Sequence, residues 1–107
     1  MKEVELRVFA SILSSYWNGK DLEIRTNTER TARVAVGDVL IINHTLKRRV
    51  KAIRWYRDFE KALAVEKPRR IFPGYGWNSD SILKALRTIY TPGAENRGVL
   101  VFELEDV

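Results

Sequence analysis

Apolar and polar residues change period several times along this chain, and each change marks an element. Val4, Leu6 and Val8 alternate with Glu3, Glu5 and Arg7, the period-two pattern of a half-buried strand. Phe9, Ile12, Leu13 and Tyr16 then follow helical spacing, with Ser11, Ser14 and Ser15 on the opposite side. Asn18-Gly19 suits a glycine cap on that helix better than a hairpin turn. Leu22 and Ile24 alternate with Asp21, Glu23 and Arg25, which predicts a second strand.

After a polar stretch over 26–33, Val36-Gly37-Asp38 turns the chain into Val39-Leu40-Ile41-Ile42. That run is apolar on both faces and reads as an internal strand. Asn43-His44-Thr45 is the next turn, and His44 reads as a turn residue. A fourth strand runs over about 48–56, and its parity slips between Ala52 and Ile53, as a bulge would make it do. Asp58 is placed to cap a helix buried through Phe59, Ala62 and Leu63 and stopped by Pro68. Asn78 or Ser79 opens a helix with Ile82, Leu83, Leu86, Ile89 and Tyr90 on one face. Leu100, Phe102 and Leu104 form the last strand. The expected order is β-α-β-β-β-α-α-β, an α+β chain. A small, curled, mostly antiparallel β-barrel with about three short helices accommodates it. All 107 residues read as a single domain.

Composition narrows the chemistry. There is no cysteine and a single histidine, so thiolate chemistry, disulfides and a histidine pair for zinc are excluded. No cofactor or metal is expected. Glu3 and Glu5 stand where a signal peptide would be positive, and no apolar run approaches the roughly 20 residues of a membrane helix, so the expectation is a soluble cytoplasmic protein. The absence of glutamine and the many arginines form a pattern met in thermophiles.

The net charge of +5 is unevenly spread. Residues 47–70 contain ten basic and three acidic side chains, while the rest of the chain is slightly acidic. A concentrated positive field favours a polyanion such as RNA. The basic strand 47–57 offers Arg49, Lys51 and Arg54 for phosphate. Equally, its charge would keep an edge strand monomeric. Lys67-Pro68-Arg69-Arg70 leads into the aromatic loop 71–78, where Arg69, Arg70, Tyr75 and Trp77 suit single-stranded RNA, whose bases stack on rings. The alternative for large aromatics there is core packing, the reading adopted for Phe72. Lys20, Glu23 and Arg25 are the remaining candidates. On a strand Glu23 and Arg25 share a face, with Lys20 in the turn before it.

Several of these pieces occur in a characteristic order: Lys20-x-x-Glu23-x-Arg25, Val36-Gly37-Asp38-Val39, Val50 to Tyr56 leading to Phe59, Ile89-Tyr90 and Gly98-Val99-Leu100. From about residue 9 to 105 the chain resembles an ASCH domain of the small archaeal single-domain kind. The resemblance implies a PUA-like β-barrel with an RNA-binding cleft at the lysine-glutamate-arginine motif. Some relatives hydrolyse acetylated cytidine with a lysine, a threonine and a glutamate, and one acts as a ribonuclease. Here Gly19 stands directly before Lys20, and Glu23 fills the position of the hydrolases' threonine. The leading expectation is therefore an RNA-binding module using Lys20 and Arg25. The alternative is a hydrolase of a modified nucleoside, with Lys20 as nucleophile or base and Glu23 or Glu66 as its acidic partner. A weaker one is carboxylate-bound magnesium or manganese in RNA cleavage.

Overall fold

The alternation at the start of the chain becomes strand β1 (Glu3–Leu6), and the change of period becomes helix α1 (Ala10–Ser15), continued by a 3-10 turn over Tyr16–Asn18. The computed structural model describes residues 1–73 and 78–107. Strands β2 (Leu22–Thr26), β3 (Val39–Ile42), β4 (Leu46–Tyr56) and β5 (Val99–Asp106) complete one five-stranded sheet. Helices α2 (Phe59–Val65), α3 (Pro68–Ile71) and α4 (Ser79–Ile89) lie between β4 and β5 in the chain.

The sheet order is β1-β3-β4-β5-β2, with every pairing antiparallel except β1 with β3. The expected barrel does not close. β1 and β2 are the two sheet edges and share no ladder. Side chains span the seam between them: Arg25 Nη2 donates to the Arg7 carbonyl at 2.7 Å and Arg30 Nη2 to that of Glu5 at 2.6 Å.

Two hydrophobic clusters sandwich this sheet. Leu22, Ile24, Val99 and Val101 meet Phe59, Leu63, Ile82 and Leu86 of the helices on one face. Tyr16, Leu40, Ile42, Val50, Leu100 and Phe102 fill the concave side.

Local signals explain most boundaries. The Asp58 carboxylate accepts from Lys61 N–H at 2.8 Å, and Asn78 Oδ1 accepts from Ser81 N–H at 2.8 Å, so both expected caps form. Asn43 and His44 adopt left-handed backbone (φ 51° and 57°), completing a tight hairpin. The bulge in β4 falls between Val50 and Ala52, leaving Lys51 as the extra residue, just before the expected slip at Ala52 and Ile53.

Three local expectations need correction. Pro68 does not merely stop a helix; it opens α3 at its first turn, where its missing N–H is no loss, so the described residues hold four α-helices. Phe9 is the N-cap of α1 and is 61% exposed. Ser15, assigned to the solvent side, is buried, with its hydroxyl donating to the Ser11 carbonyl. The switch to a 3-10 turn at Tyr16 rotates the helical stripe, so Tyr16 carries the burial. No helix among the described residues is long and apolar enough to cross a membrane.

Candidate functional site

Gly19, with φ 97°, ends the 3-10 turn in a conformation few other residues adopt, and so directs Lys20 inward. Lys20 is only 4% exposed. Its ammonium donates to the carbonyls of Leu22 at 2.6 Å and Ile71 at 2.8 Å, and it lies 5.5 Å from the Tyr16 ring and 5.4 Å from the Phe72 ring. Glu23 Oε1 is 3.7 Å away. Burial lowers the Lys20 pKa, opposed by the attraction of Glu23.

Strand β2 carries Glu23 and Arg25 on the concave face, opposite Phe102 and Leu100 of β5. The Glu23 carboxylate accepts from the Tyr16 hydroxyl at 2.5 Å and from Arg25 Nε at 2.9 Å. Burial works against its charge, yet Lys20, Arg25 and the Tyr16 hydroxyl together hold its pKa below the usual carboxylate value. Burial and the neighbouring carboxylate push the Tyr16 phenol well up. Near neutral pH, the group is a buried carboxylate beside the Arg25 guanidinium, the Lys20 amine and a neutral phenol.

Lys20, Glu23 and Arg25 floor a cleft of about 320 Å³ between the β2 edge, the start of α1 and the end of α4. Phe9, Ile12, Phe72, Leu86 and Ile89 supply apolar walls, with Arg7 and Tyr90 beside Arg25. Arg7, Arg25 and Tyr90 also border a second cavity of about 340 Å³, lined further by Thr28, Arg30 and His44. The two cavities share Arg7, Arg25 and Tyr90 as a common wall.

Arg54 does not join this group. Its register opposite Val101 puts it on the helix-covered face of the sheet. There its guanidinium grips Glu66 through two bonds of 2.6 and 2.9 Å and Glu103 at 2.8 Å. Tyr56 Oη donates to the same Glu66 at 2.5 Å. Arg70 pairs with Asp21 at 2.8 and 2.9 Å and approaches Glu103 at 3.4 Å. Lys51 lies 3.8 Å from Glu103. Glu66, one of the two acids suggested for Lys20, is thus committed to Arg54 and Tyr56 on the other face.

Much of the basic charge is therefore neutralised within the fold. Arg49 and Arg69, by contrast, have no ion pair among the described residues, nor do Arg57, Lys61 and Lys67. Tyr75 and Trp77 lie outside the described residues. Phe72 is half-buried, packs against the helix-side cluster and also faces Lys20. His44 stands in the β3–β4 turn, 3.1 Å from Glu5. No group of three or more potential metal ligands occurs among the described residues.

Sequence reasoning missed Tyr90 and Arg7 as cleft residues and Tyr16 as the buried partner of Glu23. Tyr16 and Tyr90 were assigned to apolar helix faces. The signal available was chemical: a phenol that deep in a fold needs a hydrogen-bond partner, and Glu23 was the nearby acid.

No protein-family model matches the sequence, and neither does any curated protein. The chain resembles solved structures, among them two from Pyrococcus. The crystal structure of the hypothetical Pyrococcus protein PH0355 matches with a TM-score of 0.87 and 28% identity over 100% of both chains. The solution structure of PF0455 from Pyrococcus furiosus matches with a TM-score of 0.77 and 28% identity over 96% of each chain.

Proposed function

We propose that this chain is a PUA-like, ASCH-type RNA-binding module, and that its cleft takes one unpaired nucleotide. The observation that carries this reading is the convergence of Lys20, Glu23 and Arg25 on the floor of an apolar-walled cavity with Arg7 at its mouth. A volume of about 320 Å³ is at the small end of ligand sites, suited to one heterocycle. The apolar walls stack on a ring, while Arg7 and Arg25 meet the attached phosphate. The adjoining cavity, with Arg30 and Thr28, gives the next nucleotide a path along the seam. Arg69, two residues before the cleft's Ile71, adds an outer phosphate contact.

Binding of a short fluorescent single-stranded RNA, followed by anisotropy, tests the reading. With about three phosphates neutralised on a single strand, affinity should fall roughly 20-fold between 50 and 200 mM salt. A flat salt response, or no binding near 50 mM salt, would overturn the proposal.

One observation favours hydrolysis as a second reading: Lys20 is buried with a lowered pKa beside a carboxylate. Incubation with acetylated cytidine followed by chromatography tests it. Unchanged substrate at high protein concentration removes it.

A further inference from the structure

Strand β1 is a sheet edge, and its carbonyls alternate between the ladder and the seam. That of Leu6 accepts from Asn43 N–H at 2.9 Å on the β3 side, so those of Glu5 and Arg7 point outward. Arg30 and Arg25 occupy these two carbonyls. Two residues of a strand span about 6.6 Å, so the two guanidiniums stand roughly that far apart.

A carbonyl anchors a guanidinium without neutralising it. Neither Arg7 nor Arg30 has an ion pair among the described residues, and Arg25 shares Glu23 with Lys20. Of the N–H groups on each guanidinium, Arg25 commits two and Arg30 one, and Arg7 commits none among the described residues. Local locks nevertheless hold the backbone that carries them. Thr28 N–H donates to Thr31 Oγ1 at 2.8 Å and Thr31 N–H to Thr28 Oγ1 at 3.1 Å, which fixes the turn bearing Arg30. Asn43 Oδ1 accepts from Val8 N–H at 2.8 Å and its side-chain amide donates to the Val8 carbonyl at 2.9 Å, which fixes the chain beside Arg7.

All three arginines line the second cavity, of about 340 Å³. The one acid in that lining, Glu5, faces His44 at 3.1 Å. His44 aside, three cations stand against one acid, a local charge of +2. Cations gathered in this way draw an anion.

We propose that this second cavity is a binding site for a phosphomonoester, held between Arg25 and Arg30 with Arg7 as a third donor. Near neutral pH such a group carries close to −2 and presents three terminal oxygens. A phosphodiester or a carboxylate carries −1 and presents two, too few for forks on both sides. A tetrahedral phosphate with N···O bonds of about 2.8 Å on opposite faces bridges donors about 7 Å apart. The proposal goes beyond the single-nucleotide reading of the cleft and stands without it. The same group ends an RNA strand or sits on a free sugar phosphate. Where a strand supplies it, the path along the seam ends at this phosphate.

NMR titration of the intact protein with ribose 5-phosphate, and with dimethyl phosphate as the monoanionic diester, tests the site. Ribose 5-phosphate should shift the side-chain N–H signals of Arg7, Arg25 and Arg30 and the Thr28 amide. It should bind at least about tenfold more tightly than dimethyl phosphate. Arg30→Ala, at an exposed side chain, should lower that affinity about tenfold with circular dichroism unchanged, and Arg30→Lys should recover only part of it. Anisotropy with a short RNA bearing a 5′-phosphate, a 3′-phosphate or neither identifies the source. A tenfold preference for one phosphorylated end, lost in Arg30→Ala, assigns the site to strand ends. Ribose 5-phosphate binding without that preference assigns it to free phosphates, and either result supports the proposal. Equal affinity for ribose 5-phosphate and dimethyl phosphate would overturn it. So would shifts confined to cleft residues such as Phe72 while Arg30 and Thr28 stay in place, a result that leaves the cleft reading standing.

Discussion

Replacing Glu23 by glutamine tests how the buried polar group is held together. The substitution conserves shape and leaves an acceptor for Tyr16, but removes the carboxylate that pairs with both Lys20 and Arg25. At 3.7 Å and an effective dielectric near 20, the Lys20–Glu23 attraction is about 4.5 kcal/mol. The two carbonyls that hold the ammonium remain and retain part of its stabilisation. Arg25 is partly exposed and recovers some hydration. The net loss should be about 3 kcal/mol, a large part of the roughly 5–15 kcal/mol stability of a domain this size.

Chemical denaturation followed by far-ultraviolet circular dichroism measures that loss, and pH adds a second readout. Without Glu23 the folded Lys20 pKa drops further, because the attraction opposing the effect of burial has gone. Between that lowered value and the ordinary 10.5 the unfolded chain binds more protons, so stability rises with pH. The deficit of Glu23→Gln should therefore shrink as pH is raised toward 10.5. Lys20→Met combined with Glu23→Gln should be less destabilised than the sum of the two, by about 2 kcal/mol. A loss within about 0.5 kcal/mol, or strict additivity, would refute the claim that these groups are a coupled buried pair.

Two further outcomes follow from groups away from the cleft. Arg54→Ala strips Glu66 and Glu103 of their shared partner and should cost about 2–3 kcal/mol in chemical denaturation, while leaving RNA affinity within about twofold; a tenfold affinity loss at unchanged stability would place RNA on the helix side. Asp38 accepts from the Lys2 ammonium at 2.7 Å and from the Lys2 and Ala35 amides at 3.0 and 2.9 Å, which pulls its pKa to about 2. Its contribution to stability is complete above the ordinary 3.8 and disappears as pH falls through about 2. An NMR carboxyl titration with a midpoint near 3.8 would contradict this.

What was legible in the sequence is what depends on neighbours a few residues apart. Alternation located the strands, and Asp58 and Asn78 announced their helices because a cap acts within one turn. Lys20, Glu23 and Arg25 could be grouped because the turn and strand between them are short. The parallel β1–β3 pair and the β2–β5 pair join distant segments, and no local pattern encodes which edges meet. The same limit concealed the fate of the basic segment. Arg54 and Arg70 look free beside their sequence neighbours, yet Glu103 reaches them from the last strand. Counting charges overstated the positive surface for that reason.

The seam between β1 and β2 sets how this cleft can adjust. A ladder would hold its strands near 4.8 Å apart through main-chain bonds that break only together. Two arginine side chains bind this seam instead, one reaching the Arg7 carbonyl and one that of Glu5. Arg30, at an exposed position, has several torsions that reorient in picoseconds to nanoseconds, while Arg25 is held further by Glu23. The aperture is thus governed by rotamers and not by strand pairing, so the mouth can widen around a guest while every bond of the sheet stays made.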